Sequence, residues 1–406
     1  MVSSDTRPLN NPASQRQSHL PALDGIRGIA ILAVLAHNVQ RLDGPSGAVG
    51  RVVEEVMDRG WTGVQLFFVL SGFLITGILM DKRGSPGHFR NFFARRALRI
   101  FPLYYMALVV LLVVLPALGV LSPPRVPGPG QQWQYWLYLS NWTEPAGYGG
   151  GVLSHFWSLA VEEQFYLLWP FAIWRLEARG VFRLCLAVAV AALCARVWLL
   201  HAEVVPDSIY MFSVTRMDAL ALGGAGAALL RMDGVMGRGF FRGGPLLALG
   251  LLVFVAGLLF THGYPRLGAM DQAFGYGFLS LSFGLIVLAA AASDLGMSGQ
   301  DGGWLFQVFR APILRMFGTY SYGIYVIHKP LHDLVGTPLA LRWLPGADME
   351  VGSNFVYVLA VVAASLVLAM FSYRFLERPF LKLKARFEQP RADKAPAMRS
   401  APTGAR

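Results

Sequence analysis

Ten apolar blocks run along this 406-residue chain, each close to the ~20 residues that cross a bilayer as a helix. They fall at 22–42, 62–80, 100–120, 156–176, 181–200, 213–231, 245–262, 273–292, 311–332 and 353–375. Together they predict an all-α, polytopic membrane protein of about ten transmembrane helices, with no room for a large soluble domain. Residues 1–20 form a polar amino terminus, 21–382 the membrane domain and 383–406 a basic tail. The two ends have too little apolar surface to fold, which predicts disorder. Residues 1–20 also lack the apolar core and cleavage site of a removable signal peptide. No internal repeat is evident, so an inverted-repeat transporter is not suggested.

The formal net charge of +11 raises the question of nucleic acid, and its placement answers it. Arg83, Arg90, Arg95, Arg96 and Arg99 lie between spans two and three, and Arg231, Arg238 and Arg242 between six and seven. Arg374, Arg378, Lys382, Lys384 and Arg386 follow span ten, whereas the alternate loops carry Glu54, Glu55, Asp58, Glu203, Asp207, Asp348 and Glu350. This alternation is the positive-inside pattern, which predicts both termini in the cytoplasm and no nucleic-acid partner. Cys185 and Cys194, the only cysteines, are nine residues apart on one helix and point to opposite faces.

Within span one, ALDGIRGIAILAVLAHNV carries Asp24, Arg27 and His37. Ionisable groups at membrane depth need a partner or a function, and an imidazole there suits acid–base chemistry near neutral pH. The alternative is a histidine that hydrogen-bonds a neighbouring helix. His37 lies roughly 22 Å along span one, in the outer half of the bilayer. Span four runs back from outside in HFWSLAVEEQFYLLWP, which places Glu162 and Glu163 roughly 9–10 Å in. The expectation is that one of them reaches His37 and orients it as a general base. The competing reading is a buried ion pair that sets helix register.

A second cluster, Arg95, Arg96 and Arg99, occupies the cytoplasmic mouth of span three in NFFARRALRIFPLYY. Arg95 and Arg99 share a helical face, and clustered guanidiniums suit phosphates; ordinary positive-inside charge is the alternative. Arg216 and Asp218 in FSVTRMDALALGG form a thinner group, readable as a local pair. His328 in SYGIYVIHKP either lines a cavity or bonds a neighbouring helix. His88, His155, His201, His262 and His332 lie near loops and receive no role. Trp133, Tyr135, Trp136, Tyr138 and Trp142 follow a Pro/Gly loop and suggest an interfacial aromatic belt or a sugar-stacking surface. No His-Glu-x-x-His, phosphate loop or Gly-x-Ser-x-Gly elbow is present, and no metal site or activated serine is expected.

Seven segments, in order, resemble the bacterial integral-membrane acyltransferase 3 family. They are LDGIRGIAILAVLAHN, GVQLFFVLSGFLIT, FFARRALRIFPLYY, HFWSLAVEEQFYLLWP, TRMDALALGG, SYGIYVIHKP and FLERPF, spanning roughly residues 18–382. The resemblance implies O-acyl transfer, usually of acetyl, from cytoplasmic acyl-CoA to a hydroxyl. Implied acceptors are extracytoplasmic polysaccharides, lipid-linked sugars, peptidoglycan or macrolides. It implies that His37 is the essential histidine and Arg27 its paired basic residue. It further implies that Arg95, Arg96 and Arg99 sit at the CoA entrance, and that Glu162 and Glu163 belong to the Glu-Glu-Gln-Phe-Tyr segment. Two departures are visible. Nine residues rather than ten separate Arg27 from His37, and Gln65 stands where many members have Asp. The extra soluble domain of some members is not expected in so short a tail.

The reading is therefore a membrane O-acyltransferase of the bacterial cytoplasmic membrane, with acyl-CoA as donor, a carbohydrate or glycosylated acceptor and no metal. Direct transfer with His37 as base is preferred to an acyl-enzyme. The rivals are macrolide acylation, a small-solute transporter and a membrane scaffold.

Overall fold

The computed structural model describes residues 20–40, 47–143, 151–232, 234, 242–296, 303–343 and 351–387. Both terminal segments expected to be disordered lie almost wholly outside the described residues, as does the loop with Asp348 and Glu350. Among the described residues there is no strand, and ten helices reach 17 residues or more. They are α1 (Pro21–Val39), α2 (Thr62–Asp81), α3 (His88–Leu108), α4 (Trp157–Ile173) and α5 (Ala178–His201). They continue with α6 (Ser213–Leu229), α7 (Gly243–Phe260), α8 (Tyr276–Asp294), α9 (Pro312–Leu331) and α10 (Val351–Ser372).

Seven helical stretches, containing α1, α2, α3, α5, α7, α8 and α10, are long and apolar enough to cross a membrane. The other three expected spans are helices of a different character. α4 and α6 have 17 residues each, and α9 carries Arg315, Lys329 and a run of tyrosines. α6 shows why such a segment is tolerated: it buries Thr215, Arg216 and Asp218 against other helices, so its polar groups meet protein rather than lipid.

Two close crossings organise the bundle. α1 meets α9 where a Cβ on Gly28 would fall 2.0 Å from the Leu314 carbonyl oxygen and one on Gly318 1.8 Å from that of Asp24. α2 meets α6 where a Cβ on Gly72 would fall 1.8 Å from the Leu220 oxygen and one on Gly223 2.0 Å from that of Val69. Both sides of each crossing have glycine, so backbone packs on backbone, the usual source of helix association in lipid.

Two local departures from expectation matter for the site. α3 begins at His88, after Gly87 in the left-handed region (φ 69°), so Arg90, Arg95, Arg96 and Arg99 ride on the helix rather than on a preceding loop. The chain enters α4 through a 3-10 segment, Gly151–Phe156, in which Val152, Leu153, His155 and Phe156 are buried. α4 is therefore entered from a buried segment rather than from an exposed loop.

Candidate active site

A cavity between α1, α2, α3, α4 and α9 is lined by Arg27, Ser71, Arg96, Arg99, Glu162 and Glu163, with Ser158, Tyr166 and Tyr325 completing its polar wall. Ser71 donates to Glu162 Oε1 at 2.6 Å and accepts from the Tyr166 hydroxyl at 3.1 Å. The Arg96 guanidinium lies over the Tyr166 ring at 5.5 Å and the Phe92 ring at 5.9 Å. Three guanidiniums facing two carboxylates balance much of each other's charge. The surplus is cationic, which suits an elongated polyanion entering beside the arginines.

Arg27 thus joins the arginine cluster. Asp24, one turn earlier on α1, lies within electrostatic range of it. Arg95 does not line the cavity; Arg96 and Arg99, three residues apart, do. The face expected from Arg95 and Arg99 is therefore shifted by one residue.

His37 is elsewhere. It is ten residues beyond Arg27 on α1, ~15 Å along the axis, and does not line the cavity. Gly60, just before α2, packs against its Cβ. A backbone hydrogen bond joins it to Asp58, and the charges within range are Arg266, Asp58 and Lys329. Its Nδ1 has no hydrogen-bond partner among the described residues. The expected contact with Glu162 or Glu163 is not formed. Glu162 and Glu163 line the cavity with Ser71 and Arg27 instead, Glu162 accepting from Ser71.

His328, fully buried, turns Nδ1 to the Tyr325 carbonyl at 2.7 Å and sets Nε2 3.3 Å from Asn38 Nδ2. It bonds a neighbouring helix beside His37. His155, set aside on sequence, is also buried. Its ring lies 5.0 Å from that of His328. Its place one residue before Phe156 read as a loop because the 3-10 entry left no apolar periodicity.

Arg216 and Asp218 do not form a local pair. Asp218 accepts from Arg196 of α5 at 2.9 Å, and Arg196 also donates to the Thr215 carbonyl at 2.6 Å. Arg196 is missing from the expected set, although a lone arginine in CARVWLL was visible. Arg216 instead donates to Gln65 and is enclosed by the rings of Tyr276 (4.4 Å) and Tyr210 (4.9 Å). The aromatic run divides: Trp133 and Trp142 are exposed, whereas Tyr135 is buried and Tyr138 stacks on Tyr104 at 4.1 Å. Among the described residues no group of three or more His, Cys, Asp or Glu is placed to hold a metal.

An all-helical membrane bundle with an arginine- and carboxylate-lined cavity is the setting in which the comparisons fall. The family model for the acyltransferase domain, acyltransferase 3, matches residues 20–374, and the chain belongs to that family. Among relatives, it is 28% identical over 390 residues to the peptidoglycan O-acetyltransferase OatA of Listeria monocytogenes, covering 90% of this chain and 56% of that protein. It is 28% identical over 393 residues to YrhL of Bacillus subtilis, provisionally named a peptidoglycan O-acetyltransferase, covering 90% of this chain and 55% of that protein. The chain spans somewhat over half the length of these relatives. No solved structure matches.

Proposed function

We propose that this protein is a membrane O-acetyltransferase that moves an acetyl group from acyl-CoA to a hydroxyl of a carbohydrate. The observation that carries the reading is the cavity in which Arg27, Arg96 and Arg99 face Glu162 and Glu163. The arginines hold the donor's phosphates. The pantetheine arm extends past Ser158 and Tyr325, which line the same cavity, and on this reading it continues beyond the cavity to bring the thioester to His37. His37 Nδ1 then takes the proton of the acceptor hydroxyl as that oxygen attacks the thioester carbon. The tetrahedral intermediate collapses, the C–S bond breaks, and the thiolate leaves with the proton. The relatives' names support acetyl as the group and a peptidoglycan-like glycan as the acceptor. The charge distribution of the loops supports a bacterial cytoplasmic membrane location, both termini and the arginine end in the cytoplasm, and His37 toward the outside.

Purified protein in sealed vesicles tests this directly. Acetyl-CoA is supplied on one side, glycan strands on the other, and free CoA and ester-linked acetate are measured. The expected result is acceptor-dependent CoA release with donor at the arginine end. A protein that moves solute without cleaving the thioester is a transporter, and that result sinks the reading.

A further inference from the structure

Asn38 follows His37 in the last turn of α1, and its side chain is half-buried. Among the described residues its one side-chain hydrogen bond is to His328, whose position fixes the chemistry of the contact. His328 Nδ1 faces two carbonyl oxygens, those of Tyr325 at 2.7 Å and Ile324 at 3.2 Å. Carbonyls only accept, so Nδ1 carries the proton of a neutral ring and Nε2 is a bare acceptor. The Asn38 atom 3.3 Å from Nε2 is then the amide nitrogen, which donates one N–H to it. Among the described residues the second N–H of the same nitrogen has no acceptor, and the nitrogen is held in orientation by a fully buried ring.

We propose that Asn38 is a catalytic residue that donates this second N–H to the oxyanion formed beside His37, with His328 as its positioning residue. The proposal rests on the O-acyl-transfer reading and adds an electrostatic component to it. When the acceptor oxygen attacks, the carbonyl π electrons move onto the thioester oxygen, and a preorganised donor is worth most at that moment. His37 receives the proton, Asn38 stabilises the negative oxygen, and both charges vanish when the C–S bond breaks and the thiolate takes the proton. The proposal gives buried His328 a function without contact with substrate. It also explains why an amide stands at the end of an apolar helix: its donor is needed on one side and its anchor on the other.

The test uses the full chain in vesicles, with acetyl-CoA and peptidoglycan glycan strands as probes. Asn38→Ala and the isosteric Asn38→Asp should each lower kcat by about 10²–10³-fold, the range for one lost oxyanion donor, with the KM for acetyl-CoA little changed. His328→Phe should lower kcat by a smaller factor and add little further loss in the Asn38→Ala background, because both changes remove one donor. Thermal unfolding of each variant separates folding defects from chemistry. Asn38→Asp, which keeps the shape, is read if Asn38→Ala unfolds. Wild-type kcat in Asn38→Asp or Asn38→Ala, or an effect confined to acceptor KM, overturns the proposal. So does an effect of His328→Phe that multiplies fully with that of Asn38→Ala. His37→Ala distinguishes the two levels. Loss there with normal Asn38 variants removes only the present inference, whereas wild-type turnover in His37→Ala removes the reading beneath it.

Discussion

Arg27 and His37 share one helix but not one site: Arg27 lines the cavity with Glu162 and Arg96, whereas His37 lies ~15 Å further on beside Asp58, Arg266 and Lys329. The nine intervening residues, rather than ten, already rotate the two side chains about 80° apart on a regular helix. The bundle uses that rotation, since Arg27 turns toward α3 and α4 while His37 turns toward Asp58 and Gly60. The separation defines what each end should do, and the variants below treat the ends separately.

At the His37 end, His37→Ala should lose at least ~10²-fold in acetyl transfer at normal membrane abundance, the low end for a lost general base. The motive is an imidazole whose Nδ1 has no partner among the described residues. Acetate transferred per amount of inserted protein is the measurement, and unchanged turnover removes the role.

At the other end, Arg96→Ala and Arg99→Ala should raise the KM for acetyl-CoA several-fold, and Arg95→Ala should raise it less. Arg96 and Arg99 line the cavity and Arg95 does not. Phosphate contacts far from the reacting carbon are mostly uniform binding, so kcat should change less than KM. Equal effects of all three variants would assign the effect to general surface charge.

Ser71→Ala should destabilise the protein by about 0.5–1.5 kcal/mol, the net worth of one hydrogen bond to a half-buried acceptor. The half-buried Glu162 carboxylate accepts from Ser71 at 2.6 Å, and Tyr166 donates to the same serine. Thermal unfolding in detergent reads this. A melting temperature equal to wild type means that another donor or water replaces the hydroxyl.

The Arg196–Asp218 pair joins α5 to α6 with both side chains buried. Asp218→Leu alone should cost about 3–5 kcal/mol, since it strands a buried guanidinium, and so should Arg196→Met alone. The double variant should recover most of the loss. Additive losses in the double variant would show that the two groups contribute independently rather than as a pair.

The ten helices were legible because apolar block length is a direct consequence of bilayer thickness. Their contents were less legible. α4 and α6 form where apolar blocks predict spans, yet they are short and carry charged groups that only packing accounts for. The neighbours of Glu162 are not legible, because Gly151–Phe156 enters the bundle as a buried 3-10 segment with no repeating apolar pattern to mark it. The Arg27, Arg96 and Arg99 grouping was partly visible as charge, but the inward register was not, since a shift of one residue turns a side chain by about 100°. Asp218 was paired by sequence proximity with Arg216, whereas the structure pairs it across helices with Arg196. Sequence separation says little about partners in a bundle where every helix touches several others.

The glycine crossing of α1 on α9 has a further consequence. With backbone seated on backbone at Gly28 and Gly318, α1 has no slack to slide along its partner, so Arg27 and His37, already spaced by one helix, also keep their register against α9. On the proposed reading, a donor whose phosphates sit among the arginines brings its acyl carbon to His37 only on an arm of ~15 Å. Reach, beside charge, then becomes a quantity that a series of donors of graded length can measure.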